Sequence, residues 1–138
     1  MLWMWVQFPP PPPNIIKEYI IMFKKCKPKF IENSRIPVWL SKIAPIRIGA
    51  ISLVFWVFAR GTMTDSMKRH ETIHFRQWLE LGIIGFAVLY GLFWLIGLIR
   101  FRDTKSAYRR SPFEVEAYDN EADEAYLDNR RWYAWARK

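Results

Sequence analysis

Both histidines of the 138-residue chain fall in one five-residue stretch, His70-Glu71-Thr72-Ile73-His74. Residues four apart lie one turn apart on the same face of an α-helix, so imidazoles at 70 and 74 can grip a single metal ion. This is the front half of a hydrolytic zinc site. There, Zn2+ takes three protein ligands and leaves a fourth position to a water whose pKa falls to about 7. Glu71 is placed to take that water's proton as it attacks a peptide carbonyl and to pass it to the leaving amine. The half-site still needs a third ligand. The single cysteine, Cys26, excludes an internal disulfide and cannot build a cysteine site alone, so the ligand is sought among the acids downstream.

Glu114 is the choice, with Glu116 in reserve on a different face of the same helix. Ser111 and Pro112 suit the N-cap and first position of a helix, which puts Glu114 on its first turn, 40 residues past His74. Ala117 is small enough to let that helix approach the histidine helix. Ser111 and Glu114 also have the spacing of a capping box, a competing and purely structural role for the glutamate. Positions 70, 74, 77 and 81 share a face, so Gln77 stands beside the histidines as a support or substrate contact, with Glu80 close to that face or in water. Tyr108, Arg109 and Arg110 are candidates to donate to a developing oxyanion.

Positioning these groups falls to a chain of unusual composition. It is 51% hydrophobic and 17% aromatic with eight tryptophans, more apolar surface than one domain of this length hides readily. Its net charge of +8 is uneven: residues 1–80 carry 12 Lys and Arg against 5 Asp and Glu, residues 81–138 carry 9 against 8. A basic, aromatic first half suits an anionic membrane surface. Nucleic acid would feel the same charge, but the basic residues form no long run, so it ranks second.

Four regions follow. Residues 1–13 form an aromatic and polyproline tail, an interfacial anchor on an extended spacer or a disordered segment. Residues 14–45 hold a short basic amphipathic helix over 15–25, capped by Asn14 and ended by Pro28, and then a connector with one helical turn near Trp39 and Leu40. Residues 46–129 form the metal-site domain, and 130–138 a basic, aromatic, interfacial tail.

Within 46–129, residues 46–59 read as a buried strand and could offer an edge to a peptide. A helix then starts at Thr64 or Asp65 and carries the histidines. Residues 81–99 have no charge over 19 positions, the length and composition of a membrane span. A straight helix from His74 to Arg100 would be about 39 Å long and would strand the third ligand. A hairpin, broken or closely packed at Gly82, Gly85, Gly91 or Gly97, brings the chain back. A helix over 112–129 with seven acids and no base follows. The expected fold is mainly α with a short β element: strand, histidine helix, apolar helical hairpin, ligand-bearing acidic helix.

The path from residues 70–80 through the apolar segment to Ala107-Tyr108-Arg109 and Phe113-Glu114-Val115-Glu116-Ala117-Tyr118-Asp119-Asn120-Glu121 resembles a group of small bacterial and phage proteins with a histidine-glutamate zinc motif. More distantly it is similar to gluzincin metallopeptidases, whose third ligand is the first Glu of a Glu-x-x-Ala-Asp element. The resemblance covers residues 46–128; within it Glu114-Val115-Glu116-Ala117 matches that element up to its aspartate, where this chain has Tyr118 in place of a supporting carboxylate. The resemblance implies a membrane-associated zinc metallopeptidase acting on a peptide or protein, with His70, His74 and Glu114 on the metal and Glu71 as base. Two readings compete: a non-catalytic membrane anchor, lysis or assembly factor with structural or no zinc, and a basic nucleic-acid-binding protein.

Overall fold

A computed structural model describes residues 13–43, 48–53 and 55–137. The aromatic and polyproline tail expected over 1–13 lies outside the described residues except for Pro13. The protein is mainly helical with a small sheet, as expected. In chain order it comprises α1 (Pro13–Lys25), β1 (Lys29–Ile31), α2 (Ile36–Leu40), β2 (Ala50–Leu53), β3 (Trp56–Ala59), α3 (Asp65–Phe101), α4 (Thr104–Arg109), α5 (Pro112–Asn120), α6 (Tyr126–Asn129) and a 3-10 turn, Ala134–Arg137. Helix α1 begins at Pro13, one residue before the expected cap Asn14, and the turn expected near Trp39 is α2.

The β element departs from expectation in two ways. Residues 46–59 are not one strand: β2 and β3 pair antiparallel as a hairpin, with Ser52 opposite Val57. The connector before them supplies a third strand, β1, which pairs parallel with β3, so the order is β1-β3-β2. A continuous apolar run cannot report a reversal in its middle, because strand and turn there use the same residue types. Val57 and Ala59 of the central strand are buried with Met63 against Phe30 and Ala50.

Helix α3 opens at Thr64, whose hydroxyl accepts from the Met67 amide at 3.2 Å. It breaks at Gly82, where φ is 69° and ψ 170°, a backbone region essentially closed to other residues. There the helix kinks, and the arms 65–81 and 83–101 lean toward each other. Trp78 and Phe86, which an unbroken helix would hold about 12 Å apart, stack with ring centroids 4.6 Å apart. The break falls at the start of the apolar segment, so 83–101 is one uninterrupted arm rather than the expected hairpin within 81–99. A second close approach follows at Gly97, where an added Cβ would lie 2.9 Å from Ala107 Cα, so α4 packs directly on the second arm.

The acidic helix is shorter than expected. It ends at Asn120, and a turn in which the Asp123 carboxylate accepts from the Ala125 amide at 2.9 Å separates α5 from α6. The last residues turn inward rather than forming a wholly interfacial tail. Trp135 packs on Phe113 with centroids 4.7 Å apart, and Phe86, Phe113 and Trp135 are the buried centre of an aromatic cluster. This cluster fixes the first turn of α5, and Glu114 is the residue after its central ring.

Candidate metal centre

The Gly82 kink and the anchoring of Phe113 bring three side chains together. One ligand atom from each of His70, His74 and Glu114 lies within 4.8 Å of the others, and all three residues are buried. The distances are short: His70 Nε2 to His74 Nε2 3.1 Å, Glu114 Oε1 to His74 Nε2 3.2 Å, and Glu114 Oε2 to His70 Nε2 3.5 Å. Ligands at the usual zinc distances on neighbouring corners of a tetrahedron sit about 3.3 Å apart. Glu114 Oε2 is buried without a hydrogen-bond partner among the described residues. These residues form a buried group that could hold a metal ion, and the spacing fits one.

The outer ring nitrogens explain why both Nε2 atoms face inward. His70 Nδ1 lies 2.8 Å from Glu121 Oε2, and His74 Nδ1 lies 2.8 Å from Gln77 Oε1. Both contacts are satisfied when Nδ1 carries the hydrogen, which leaves each neutral ring's Nε2 lone pair pointing at the other and at a carboxylate. Two lone pairs and an anion at this range need a cation between them, a proton or a metal. Without metal, burial alone would lower His74, but the Glu114 charge and its hydrogen bond outweigh this and raise it to about 9. Burial likewise opposes the charge of Glu114, yet His74 and His70 hold the carboxyl far below its ordinary value.

Glu71 lines the same cleft as the three ligands. Burial pushes its carboxyl above the ordinary range against the pull of His74 and His70, the direction that makes a carboxylate a stronger base near neutrality. Tyr108 and Arg109 also line the cleft. Burial, then the Glu114 charge, pushes the Tyr108 hydroxyl up, so it stays a proton donor. Arg109 lies 4.4 Å over the Tyr118 ring, which meets the His70 ring edge-on at 4.7 Å. Arg110 instead lies over Phe101.

Glu116 is not brought to the histidines. It is fully buried behind them, where its Oε1 accepts from Tyr126 at 2.8 Å and Arg130 Nε at 2.6 Å, and its Oε2 accepts from Gln77 Nε2 at 3.0 Å. Glu80 is not in water either: Arg130 pairs with it on the other side, and Trp135 Nε1 donates to it at 3.2 Å. Gln77 thus joins His74 to a buried Glu116–Arg130–Glu80 network. Nor does Glu114 close a capping box. Ser111 accepts from the Glu114 amide at 3.4 Å, but the Ser111 amide goes to Tyr108 O and the Glu114 carboxylate faces the histidines.

Two contributors were not singled out from sequence. Glu121 places a carboxylate on His70 although position 118 holds tyrosine, and it lies one turn further along the chain from that position. Tyr90, inside the apolar segment, donates to Glu114 Oε1 at 2.9 Å. The signal available for Tyr90 was a hydroxyl in an otherwise uncharged stretch, as far past Gly82 as His74 is before it. No family model, curated protein or solved structure matches the chain.

Proposed function

We propose that this protein is a membrane-associated zinc metallopeptidase. The observation that carries the reading is the convergence of two inward Nε2 atoms and a buried carboxylate, with both Nδ1 positions already engaged by side-chain oxygens. Two imidazoles and one carboxylate with an open side toward a cleft suit Zn2+ better than the oxygen-seeking cations. When bound, zinc acidifies water and polarises a carbonyl.

The chain's own groups do the rest. Glu71, facing the cleft beside the ligands, takes a proton from the attacking water. The water's oxygen bonds to the acyl carbon, the C–N bond breaks, and Glu71 returns the proton to the departing nitrogen. Tyr108 offers a neutral donor on the same wall for the carbonyl oxygen. The outer edge of β2 lines the cleft and can pair with an extended peptide backbone.

Association with a membrane is supported by α3. It is long and apolar enough to cross a bilayer by length and composition, its uncharged run, 81–99, lying almost wholly beyond the Gly82 break, and only 11% of its most apolar stretch is buried within the protein. Arg100 in its last turn, then Arg102 and Lys105, are exposed and suited to anionic headgroups.

Metal analysis of the purified protein tests the proposal. One zinc per chain is expected, lost in His70→Ala, His74→Ala and Glu114→Ala. Glu71→Gln should keep the zinc and lose hydrolysis of a peptide anchored to phosphatidylcholine–phosphatidylglycerol vesicles. Wild type with no bound zinc, or full hydrolysis by Glu71→Gln, overturns it.

A further inference from the structure

The cleft has one wall from the sheet and one from the apolar arm. The first is the edge strand β2 with the two residues before it, 48–53; the second includes Phe86, Ala87, Tyr90 and Gly91. The cleft is open on one side, with a volume of about 1130 Å³, above the range of about 300–1,000 Å³ usual for small-molecule pockets and suited to an extended polypeptide. Ala87 and Gly91 are one turn apart and both exposed. Among the described residues, a Cβ at Gly91 would meet nothing within 4 Å. The small side chains here therefore leave room that no described residue fills.

The adjoining face of the arm points away from the protein. Ile84 is 80% exposed, Val88 62% and Ile99 71%, with Leu92 and Leu95 on the same stripe. Ala87 and Gly91 directly precede Val88 and Leu92, so the cleft wall and the outward stripe are adjoining faces of one helix. At the end of the arm the exposed bases continue the stripe, and one of them, Lys105, also lines the cleft. A surface lying against the stripe and these bases would stand at the rim of the cleft. Its chemistry is apolar inside and anionic at the boundary, that of an acidic bilayer.

We propose that the cleft receives an apolar polypeptide segment presented at an anionic bilayer surface, the stretch beside the membrane anchor of another protein, with its side chains against Ala87 and Gly91. This rests on the peptidase reading for its chemistry, and on the shape and position of the cleft for its binding. A water-soluble peptide of polar side chains matches neither the wall nor its location.

Binding and cutting are measured separately on phosphatidylcholine–phosphatidylglycerol vesicles. Two anchored peptides are compared, alike except that the stretch beside the anchor is Leu/Val/Phe in one and Ser/Asn/Gln in the other, each with a photocrosslinker. Zinc-loaded Glu71→Gln should capture the apolar peptide about tenfold or more over the polar one. Gly91→Leu, added to Glu71→Gln, fills the space and should cut that yield about tenfold with zinc content unchanged, and Ala87→Leu repeats the test from the adjacent turn. Equal capture of the two peptides, or full capture by both filled variants, overturns the inference. Wild type on the same vesicles separates the two readings. Selective capture without cleavage sinks the peptidase and leaves the binding inference standing, whereas equal cleavage of both peptides does the reverse.

Discussion

Gln77 Oε1 lies 2.8 Å from His74 Nδ1, while the same side chain's Nε2 donates to Glu116 Oε2 at 3.0 Å and to Phe113 O at 3.1 Å. The amide is held in one orientation by its two acceptors, so its oxygen can only face the imidazole. Gln77→Ala should weaken zinc binding by about 10–100-fold, the usual loss when a group orienting a ligand is removed. Chelator competition measures it, and an affinity within twofold of wild type would refute the role.

Arg130 sits between Glu116 and Glu80, all three side chains nearly or fully buried. Removing the cation leaves two buried carboxylates facing each other. Arg130→Ala is expected to cost about 3–5 kcal/mol, as for one partner of a buried ion pair, seen as a lower midpoint in urea unfolding. A loss under about 1 kcal/mol, the value of an exposed pair, would show that the network is solvated.

Proton linkage gives a third expectation. In the metal-free protein His74 is raised from 6.5 to about 9, so its stabilising contribution is complete below pH 6.5 and is lost as pH rises through 9. Glu114 is lowered from 4.5, so its contribution is present above pH 4.5 and is lost as pH falls toward its folded value. The metal-free protein should therefore be most stable between about pH 4.5 and 6.5 with respect to this pair. Zinc binding at pH 7 must displace the His74 proton, and calorimetry in buffers of different ionisation enthalpy should register about one proton released per ion. No release would mean that His74 is neutral beforehand.

Gly82→Ala places a Cβ at a positive φ with extended ψ. A cost of about 1–3 kcal/mol is expected, with a fall in zinc affinity because the arms no longer meet squarely. Thermal unfolding with and without EDTA reads both effects, and a variant as stable as wild type would mean that the kink does not depend on glycine.

Much of the helical frame was legible because its signals are local. Thr64 before an apolar-periodic run, Ser111-Pro112 before Phe113, and histidines four apart each define an element over a few residues. That the helix had to break for the chain to return Glu114 followed from a length argument, but four glycines competed for the break, and it falls at Gly82 with no hairpin inside 83–101. What escaped was non-local. Arg130 meets Glu80 from 50 residues away, and nothing near either residue announces burial. Strand β1, three residues in a proline-punctuated connector, exists only because β3 offers it an edge. Glu121 was hidden by comparison with a pattern that places its carboxylate at 118.

Gly82 also acts as a mirror. His74 and Tyr90, eight positions to either side, both reach Glu114 Oε1, and Trp78 and Phe86, four positions to either side, stack on one another. The stretch from 74 to 90 therefore works as a ruler. One residue inserted or deleted in either arm would rotate everything beyond it by about 100° and unpair every such couple at once, while substitutions that preserve the count spare it.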